Sequence, residues 1–555
     1  MIPKKRRGSE FIVQGSILAI ASITSRIIGL LYRIPMTNII GNDGNNYYGS
    51  AFEVYNIMLL ISSYSLPTAV SKFISGYRAV GDYKTVKRIY KAALMVSLTS
   101  GIIAALIVFF GASTITKILK TPLSVYALLV LAPSLIILSV MGVLRGLFQG
   151  MGTMIPTAFS QIIEQIVNAI ISVTFAYVLY NRGLKIGAVL GNSEQYASAF
   201  GAAGGTLGTT LGALSGLIFI GFIFVAFVPA LSAMAKKQKN TETVPYGKLV
   251  KILILTIVPV LLSTTIYNIS GLVDQAIFKN VIATQSYTAE EVSQFWGVYI
   301  GKYKLLINVP LAIASAMAAS TVPELTAAFA QRDMKQARKK TYQATRFVMV
   351  IALPCVVGLA VLATPIMELL FGDSSELAGS MLVSGAVSVA FYSLSTLTNG
   401  ILQGINRLNE PVKNAIISLV LHCIVLVVLM YGFDLNIYAV VYANAFYAFL
   451  MCVLNGLSIR RYLRYRQEVL RTFIIPAFAA AIMGVAVYFT RYGLMLLYSD
   501  RVIVTKLWTV VSIFVGAFVY FIFLILFKGL NAEEMLHFPK GHVLLRFSRK
   551  LHLIK

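Results

Sequence analysis

Two arginines, Arg26 and Arg33, stand inside the first long apolar segment, in the sequences SRIIG and YRIP. They are seven residues apart, about two helical turns, so they share one face of a helix. Arginine offers planar, bidentate donors that match phosphate oxygens, and Pro35 predicts a bend or break beside the pair. The pattern predicts a clamp for a pyrophosphate. Two other interpretations stay open: Arg33 keeps its head group at the membrane surface, or it pairs with Glu53.

Three further basic residues lie inside apolar segments, where a charge costs several kcal/mol and therefore indicates function. Lys302 and Lys304 point about 200° apart on a helix, so only one of them is expected to face a cavity. Arg145 lies near the end of the predicted fourth helix, where a structural or gating role and a substrate contact are both open.

Acidic residues inside the predicted helices form a second set. Glu164 belongs to a polar stripe of the fifth helix, with glutamine or asparagine at positions 161, 165 and 168. Such a stripe must face protein or water and not lipid. Asp274 and Glu164 are candidates either for binding a coupling Na⁺ or H⁺ or for neutralising an arginine. Glu53 is a candidate for the substrate site.

No other cofactor is expected. The four histidines and three cysteines show no metal-ligand spacing, and no glycine-rich phosphate loop ends in lysine and serine. Direct use of ATP is therefore not indicated.

The elements that must position these residues are membrane helices. Of the 555 residues 58% are hydrophobic and 12% charged, and the mean hydropathy of +0.79 excludes a soluble protein. Apolar runs long enough to cross a bilayer recur throughout. We predict an all-α polytopic membrane protein with about fourteen transmembrane helices, near 12–40, 47–76, 90–112, 123–150, 157–181, 206–228, 249–279, 295–325, 342–370, 377–405, 412–432, 435–457, 472–490 and 505–528.

The net charge of +26 would suggest nucleic acid in a soluble protein. Here the basic residues cluster in alternate short loops, as the positive-inside rule requires when both termini are cytoplasmic. The sequence therefore predicts a multi-pass protein of a bacterial cytoplasmic membrane, with no nucleic-acid partner. The longest outer loop is expected from about 181 to 205.

The chain also repeats itself. The stretch Arg145–Gly152 resembles Asn399–Asn406, and the Tyr48-Gly49 pair followed by Tyr55 resembles Trp296-Gly297 followed by Tyr303. Two parallel six-helix repeats are a transporter architecture with the substrate between the halves. We divide the chain into an N-terminal lobe, a C-terminal lobe, two extra helices that pack outside or line a lipid-facing groove, and a basic cytoplasmic tail: 1–235, 236–466, 467–530 and 531–555.

With these motifs in place, the whole chain resembles the multidrug/oligosaccharidyl-lipid/polysaccharide exporter superfamily. Within it, the chain looks like the MurJ-type lipid II flippases of Gram-positive bacteria, often called the YtgP form. The resemblance implies an alternating-access exporter with a cationic central cavity and a groove for the undecaprenyl tail. It implies a role in peptidoglycan synthesis, cell-wall biogenesis and cell shape, with an undecaprenyl-pyrophosphate-linked glycan and cell-wall synthesis proteins as partners.

Residue by residue, the two arginines of the family's first helix match Arg26 and Arg33, with one residue more between them than in the Gram-negative form. The family's cavity arginine of helix 2 has no arginine counterpart, and its basic residue of helix 8 is matched only by Lys302 or Lys304. These departures leave the identity of the substrate open. It is either lipid II or another polyprenyl-pyrophosphate-linked glycan, such as a polysaccharide, teichoic-acid or spore-wall precursor.

Three other classes of function fit less well. A cation-coupled drug exporter needs acidic cavities. Here, once the basic residues near helix ends are counted with the loops, five remain within helices: Arg26, Arg33, Arg145, Lys302 and Lys304. A membrane enzyme needs carboxylates or metal ligands in sizeable outer loops, and the longest predicted outer loop offers only Glu194. A structural scaffold has no use for buried charges, which are costly. We therefore predict a protein that is not an enzyme.

Overall fold

The computed structural model describes residues 4–64, 66–238, 243–497, 502–529 and 546. Apart from residue 546, the predicted basic tail at 531–555 lies outside the described residues. Within the described ranges every regular element is a helix. The α-helices are α1 Lys4–Leu59, α2 Leu66–Ala79, α3 Tyr83–Ile118, α4 Val125–Gly150, α5 Ile155–Leu190, α6 Ser193–Lys237, α7 Tyr246–Asn268, α8 Ser270–Ile282, α9 Ala289–Val298, α10 Lys304–Ala330, α11 Met334–Val361, α12 Ala363–Phe371, α13 Glu376–Gly385, α14 Ser388–Gly404, α15 Asn409–Gly432, α16 Asn436–Leu463, α17 Ile475–Leu497 and α18 Val502–Leu526.

Each of the fourteen predicted helices overlaps at least one of these elements. Among the described residues ten helices are long and apolar enough to cross a membrane, or eleven if α13 and α14, bent by 44°, form one span. The prediction of an all-α polytopic membrane protein is confirmed, but the count of fourteen is not. One reason is that the stretch from Ile20 to Ala79 counts as one candidate span, although its backbone breaks at Gly41, between the first two predicted helices.

The break inside α1 lies at Gly41 and not at Pro35, where the sequence predicted it. Pro35 stays within the helix, whereas Gly41 has φ 68° and ψ −174°. This left-handed conformation favours glycine, which has no Cβ. The side chain of Asn45 donates hydrogen bonds to the carbonyls of Gly41, at 2.7 Å, and Thr37, at 3.2 Å. It thereby satisfies carbonyl groups beside the break.

The predicted outer loop from about 181 to 205 is helical and not irregular, because α5 and α6 fill almost all of it. Only residues 191 and 192 separate the two helices. Small residues on α6 let the backbones approach closely. A methyl group on Gly208 would lie 2.6 Å from the backbone nitrogen of Ser172, and one on Gly204 would lie 2.2 Å from the carbonyl oxygen of Phe175.

The chain forms two compact units, residues 1–301 and 302–555. This boundary differs from the predicted lobe boundary at 235/236, so the division into lobes stays a prediction. Within the first unit, Ser134 donates a 3.0 Å hydrogen bond to the hydroxyl of Tyr55. Within the second, the hydroxyl of Tyr303 donates to the carbonyl of Gly385 at 3.3 Å. Tyr55 therefore contacts α4, and Tyr303 contacts α13.

Large apolar side chains remain exposed along several helices. Phe222 of α6 is 78% exposed, Ile503 of α18 is 81% exposed, and Phe110 of α3 is 77% exposed. Contiguous apolar exposure of this kind is costly in water and favourable against lipid tails. The exposed apolar faces are therefore consistent with helices that cross a membrane.

Candidate functional site

A polar cavity of about 270 Å³ opens among three helices of the first unit. Helix α1 contributes a serine pair and an arginine, α4 contributes an arginine, and α5 contributes a carboxylate between two amides. The lining residues are Ser22, Ser25, Arg26, Arg145, Gln161, Glu164 and Gln165. The structure thus brings together three residues that the sequence singled out separately, namely Arg26, Arg145 and Glu164.

Arg145 is held from two sides. Its Nη2 atom lies 2.8 Å from Oε2 of Glu164, and its Nε donates a 2.9 Å hydrogen bond to the hydroxyl of Ser160. The Ser160 hydroxyl donates its own proton to the carbonyl of Thr157 at 2.8 Å. The side chains of Arg145 and Glu164 are 13% and 19% exposed. The charge of Arg145 is therefore matched by a carboxylate in this state.

Arg26 is placed differently. Its side chain is exposed on the cavity, and within the described ranges its guanidinium has neither an ion pair nor a hydrogen bond. The neighbouring hydroxyl of Ser25 is buried and has no hydrogen-bond partner among the described residues. On the same helix, the hydroxyl of Ser22 donates to Oε1 of Gln161 at 3.2 Å, which fixes α1 against α5. Arg26 and Ser25 thus present unsatisfied donors to a ligand.

Arg33 lies two turns further along α1 and does not line this cavity. Its Nη2 donates a 3.1 Å hydrogen bond to the hydroxyl of Tyr48. Its guanidinium carbon lies 4.9 Å from the ring centroid of Tyr48 and 5.4 Å from that of Phe52, within the range of cation–π attraction. Glu53 packs against α8, where a methyl group on Gly271 would lie 2.6 Å from its Oε2. A joint role of both arginines as a clamp stays a prediction.

The predicted basic residues of helix 8 lie in the second unit. Lys302 is buried, and its Nζ lies 2.5 Å from Oδ2 of Asp373. Burial raises the pKa of the Asp373 carboxyl, but hydrogen bonds from Lys302 and Ser375 outweigh that effect and hold the pKa below its usual range. Lys304 is half-buried. Substrate binding by either lysine stays a prediction.

Helix α8 carries two buried ionisable side chains, Asp274 and Lys279. Asp274 is 1% exposed, and its predicted role in coupling or charge pairing stays a prediction. Lys279, the last residue of the predicted helix 249–279, is also 1% exposed. Its Nζ donates to Asn46 at 2.6 Å and to Ser50 at 2.9 Å, and it lies 5.4 Å from the ring centroid of Trp296. The sequence feature that could have identified Lys279 is a single lysine directly after Phe278, an aromatic residue that is buried in the structure.

The cavity can bind an anion through a guanidinium and hydrogen-bond it through hydroxyls and amides. It offers one arginine with an unmatched charge, one arginine paired with a carboxylate, and four neutral polar side chains. Among the described residues no group of three histidine, cysteine or acidic side chains could hold a metal ion. The arrangement suits recognition of a phosphate-bearing head group.

Comparison with known proteins shows the family of this chain. A family model described as "Polysaccharide biosynthesis protein" matches residues 12–329, and a second model of the same description matches 292–376. The chain is 27% identical to the lipid II flippase MurJ of Bacillus subtilis (strain 168), over 91% of this chain and 93% of that protein. It is 22% identical to stage V sporulation protein B of the same organism, over 94% and 96%.

Solved structures show the same fold. An inward-facing multidrug resistance MATE family transporter superposes with a TM-score of 0.64 at 17% identity, covering 80% of this chain and 98% of that one. The lipid II flippase MurJ in an inward closed conformation gives 0.62 at 15% identity, covering 92% and 98%. Together with the helices described above, these likenesses establish a multi-pass membrane protein with a transporter fold.

Proposed function

Because this chain belongs to the polysaccharide biosynthesis protein family, we propose that it is a lipid II flippase. It moves the lipid-linked peptidoglycan precursor from the inner to the outer leaflet of the bacterial cytoplasmic membrane by alternating access. The observation that carries this proposal is Arg26, which is exposed on a polar cavity and unpaired among the described residues. Support comes from the likeness to a lipid II flippase along nine-tenths of the chain.

The physical need for such a site follows from the substrate. A pyrophosphate carries negative charge that hydrocarbon cannot solvate, whereas its polyprenyl tail is soluble in the bilayer. A flippase therefore has to enclose the head group while the tail stays in lipid. Arg26 supplies the opposite charge, and the serines and glutamines of the cavity supply hydrogen bonds to phosphate or sugar oxygens. Helices α17 and α18 are proposed to border the tail.

We further propose that both termini are cytoplasmic and that the protein belongs to the Gram-positive YtgP form. The basic loops support the orientation by the positive-inside rule. The relatives from Bacillus subtilis support the subtype. The reported relatives and neighbours include a flippase and a transporter, so the prediction that the chain is not an enzyme is supported.

The experiment measures outer-leaflet lipid II in cells that are depleted of their own flippase and supplied with this protein. We expect the wild type to restore outer-leaflet lipid II and Arg26→Ala to lose it. The matched control is Arg182→Ala, an exposed arginine of α5 outside the cavity, which should restore it as the wild type does. Restoration by Arg26→Ala at equal protein level would contradict the phosphate-binding role.

A second candidate function is flipping of another polyprenyl-pyrophosphate-linked glycan, such as a polysaccharide, teichoic-acid or spore-wall precursor. The full-length likeness to stage V sporulation protein B favours it. No restoration of lipid II by an inserted, abundant wild-type protein would select this candidate. The MATE neighbours share the fold, but the arginines in the cavity argue against a cation-coupled exporter of cationic drugs.

A further inference from the structure

The two arginines of the cavity differ in whether a carboxylate neutralises their charge. Arg26 has no partner within the described part of the chain, whereas Arg145 is paired with Glu164 at 2.8 Å. All three side chains line the same cavity. A phosphate that reaches Arg26 therefore meets a second guanidinium whose counter-ion belongs to the protein.

We propose that Glu164 is an exchangeable counter-ion, which neutralises Arg145 in the empty cavity and is displaced from it by a phosphate of the bound substrate. The proposal rests on the proposed function, in that the substrate is taken to carry a pyrophosphate. Arg26 is then the first contact for the anion, and Arg145 becomes the second contact once Glu164 has left it.

Ser160 keeps Arg145 in place during the exchange. Its hydroxyl accepts a 2.9 Å hydrogen bond from Nε of Arg145. Glu164 contacts a different nitrogen of the same guanidinium, Nη2. The hydroxyl proton of Ser160 is committed to the carbonyl of Thr157. Departure of the carboxylate thus frees one edge of the guanidinium while the other edge stays anchored. The freed edge has the planar geometry that suits a phosphate oxygen.

The exchange also solves the problem of release. Two arginines without a counter-ion would bind a pyrophosphate tightly and would leave two unmatched charges after it departed. Glu164 can return to Arg145, so the empty cavity again carries only the charge of Arg26 in excess. Glu164 is separated from Arg145 by nineteen residues but lies one helical turn from Ser160, on the same face of α5. In this proposal Glu164 leaves Arg145 by a change of side-chain rotamer while α5 stays fixed.

The first test measures binding of inorganic pyrophosphate to the purified full-length protein in detergent at fixed ionic strength. We expect Glu164→Gln to bind about tenfold more tightly than the wild type, because a competing charge-assisted bond is gone. We expect Arg145→Gln/Glu164→Gln to return to within about twofold of the wild type, because both members of the pair are removed. The matched control is Glu376→Gln, an exposed acid of α13, which should not change the affinity.

The second test measures lipid II flipping by the same variants in vesicles. We expect Glu164→Gln to flip several-fold more slowly in spite of its tighter binding, because release is slower. A purely structural role for the pair would weaken binding and flipping together, so tighter binding with slower flipping is specific to the exchange.

Unchanged or weaker pyrophosphate binding by folded Glu164→Gln would overturn the exchange, even if the wild type flips lipid II. Failure of the wild type to flip lipid II would contradict the proposed substrate, while the pyrophosphate measurements would still decide the exchange. If the wild type shows no binding, binding by Glu164→Gln alone supports the exchange, and binding by neither protein overturns it.

Discussion

The Nζ atom of Lys279 donates a 2.6 Å hydrogen bond to Oδ1 of Asn46, and this bond joins α8 to the part of α1 that follows the break at Gly41. Asn46 in turn donates to the hydroxyl of Ser293 on α9 at 2.9 Å, and that hydroxyl also donates to Asp43. A buried chain of polar contacts therefore ties three helices of the first unit together. Such chains hold a structure firmly only while each member is satisfied.

Lys279→Ala is expected to destabilise the protein by about 2–4 kcal/mol, because it opens a cavity and removes donors from Asn46 and Ser50. Lys279→Met keeps most of the volume and removes the charge, so its cost should be smaller. The measurement is the free energy of unfolding in detergent. The control is Lys185→Ala, an exposed lysine of α5 that should cost little. Equal stability of the alanine variant and the wild type would show that the contacts of Lys279 do not hold the helices.

Arg33→Ala is expected to abolish flipping and to leave the protein inserted, if Arg33 binds the substrate as predicted. Tyr48→Phe removes the hydroxyl that accepts the 3.1 Å hydrogen bond from Arg33 and keeps the aromatic face, so it should lower the flipping rate by less than about tenfold. Flipping of lipid II into the outer leaflet is the measurement, with protein level as the control. A wild-type rate for Arg33→Ala would remove Arg33 from the substrate path.

Gly208→Ala is expected to destabilise the packing of α5 on α6, because the added methyl group would lie 2.6 Å from the backbone nitrogen of Ser172. Backbone atoms cannot move aside as a flexible side chain can, so we expect a cost of about 1–3 kcal/mol. The matched control is Gly221→Ala on the same helix, where no atom lies within 4 Å of the added group. That variant should be neutral or more stable. Thermal melting in detergent compares the two, and equal melting temperatures would contradict close packing at Gly208.

The ion pair between Lys302 and Asp373 should make stability depend on pH. The pKa of Asp373 is lower in the folded protein than in the unfolded chain, where an aspartate has a pKa of about 4. The pair therefore contributes stability at all pH values above that range, and this contribution is lost as the pH falls through the folded pKa. Asp373→Asn should show a smaller drop in melting temperature than the wild type between about pH 5 and about pH 3. Glu376→Gln should keep the wild-type drop, and the same drop in Asp373→Asn would exclude the pair as its source.

The variant Asp274→Asn tests whether flipping is coupled to an ion gradient through this carboxylate. If Asp274 binds a coupling Na⁺ or H⁺, the variant should lose the stimulation of flipping by that ion gradient, because an amide carries no charge for the cation. Flipping in vesicles is measured with each gradient imposed separately. If Asp274 instead pairs with a basic residue, the variant should melt earlier and respond to the gradients as the wild type does.

The sequence predicted the membrane helices well, because length and apolarity alone identify a span. It also found Arg26, Arg145 and Glu164, since a polar group in an apolar segment is conspicuous. It could not bring them together, because spacing along the chain says nothing about contacts between α1, α4 and α5. The pair of Lys302 and Asp373 was missed for the same reason, as its members lie 71 residues apart.

Errors arose where local rules competed. Pro35 is the stronger helix breaker in a sequence, yet the break falls at Gly41, where Asn45 satisfies the free carbonyl. The segment from about 181 to 205 was predicted as a loop, whereas in the structure α5 and α6 run through it and pack closely through small residues. The predicted helix 249–279 ended at Lys279, whereas α8 continues to Ile282.

Three π-helical stretches occur in the part of the chain that the structure describes: Leu60–Tyr64, Tyr299–Tyr303 and Leu470–Ile474. They bear on how this chain tolerates changes in length. Each stretch holds one residue more than an α-helical turn of the same rise. Deleting one residue there restores a regular helix without lengthening or shortening it, whereas a deletion elsewhere turns every later side chain by about 100°. Alignments of relatives should therefore collect single-residue gaps at these three places, and such gaps would record the gain or loss of a π turn rather than a change of fold.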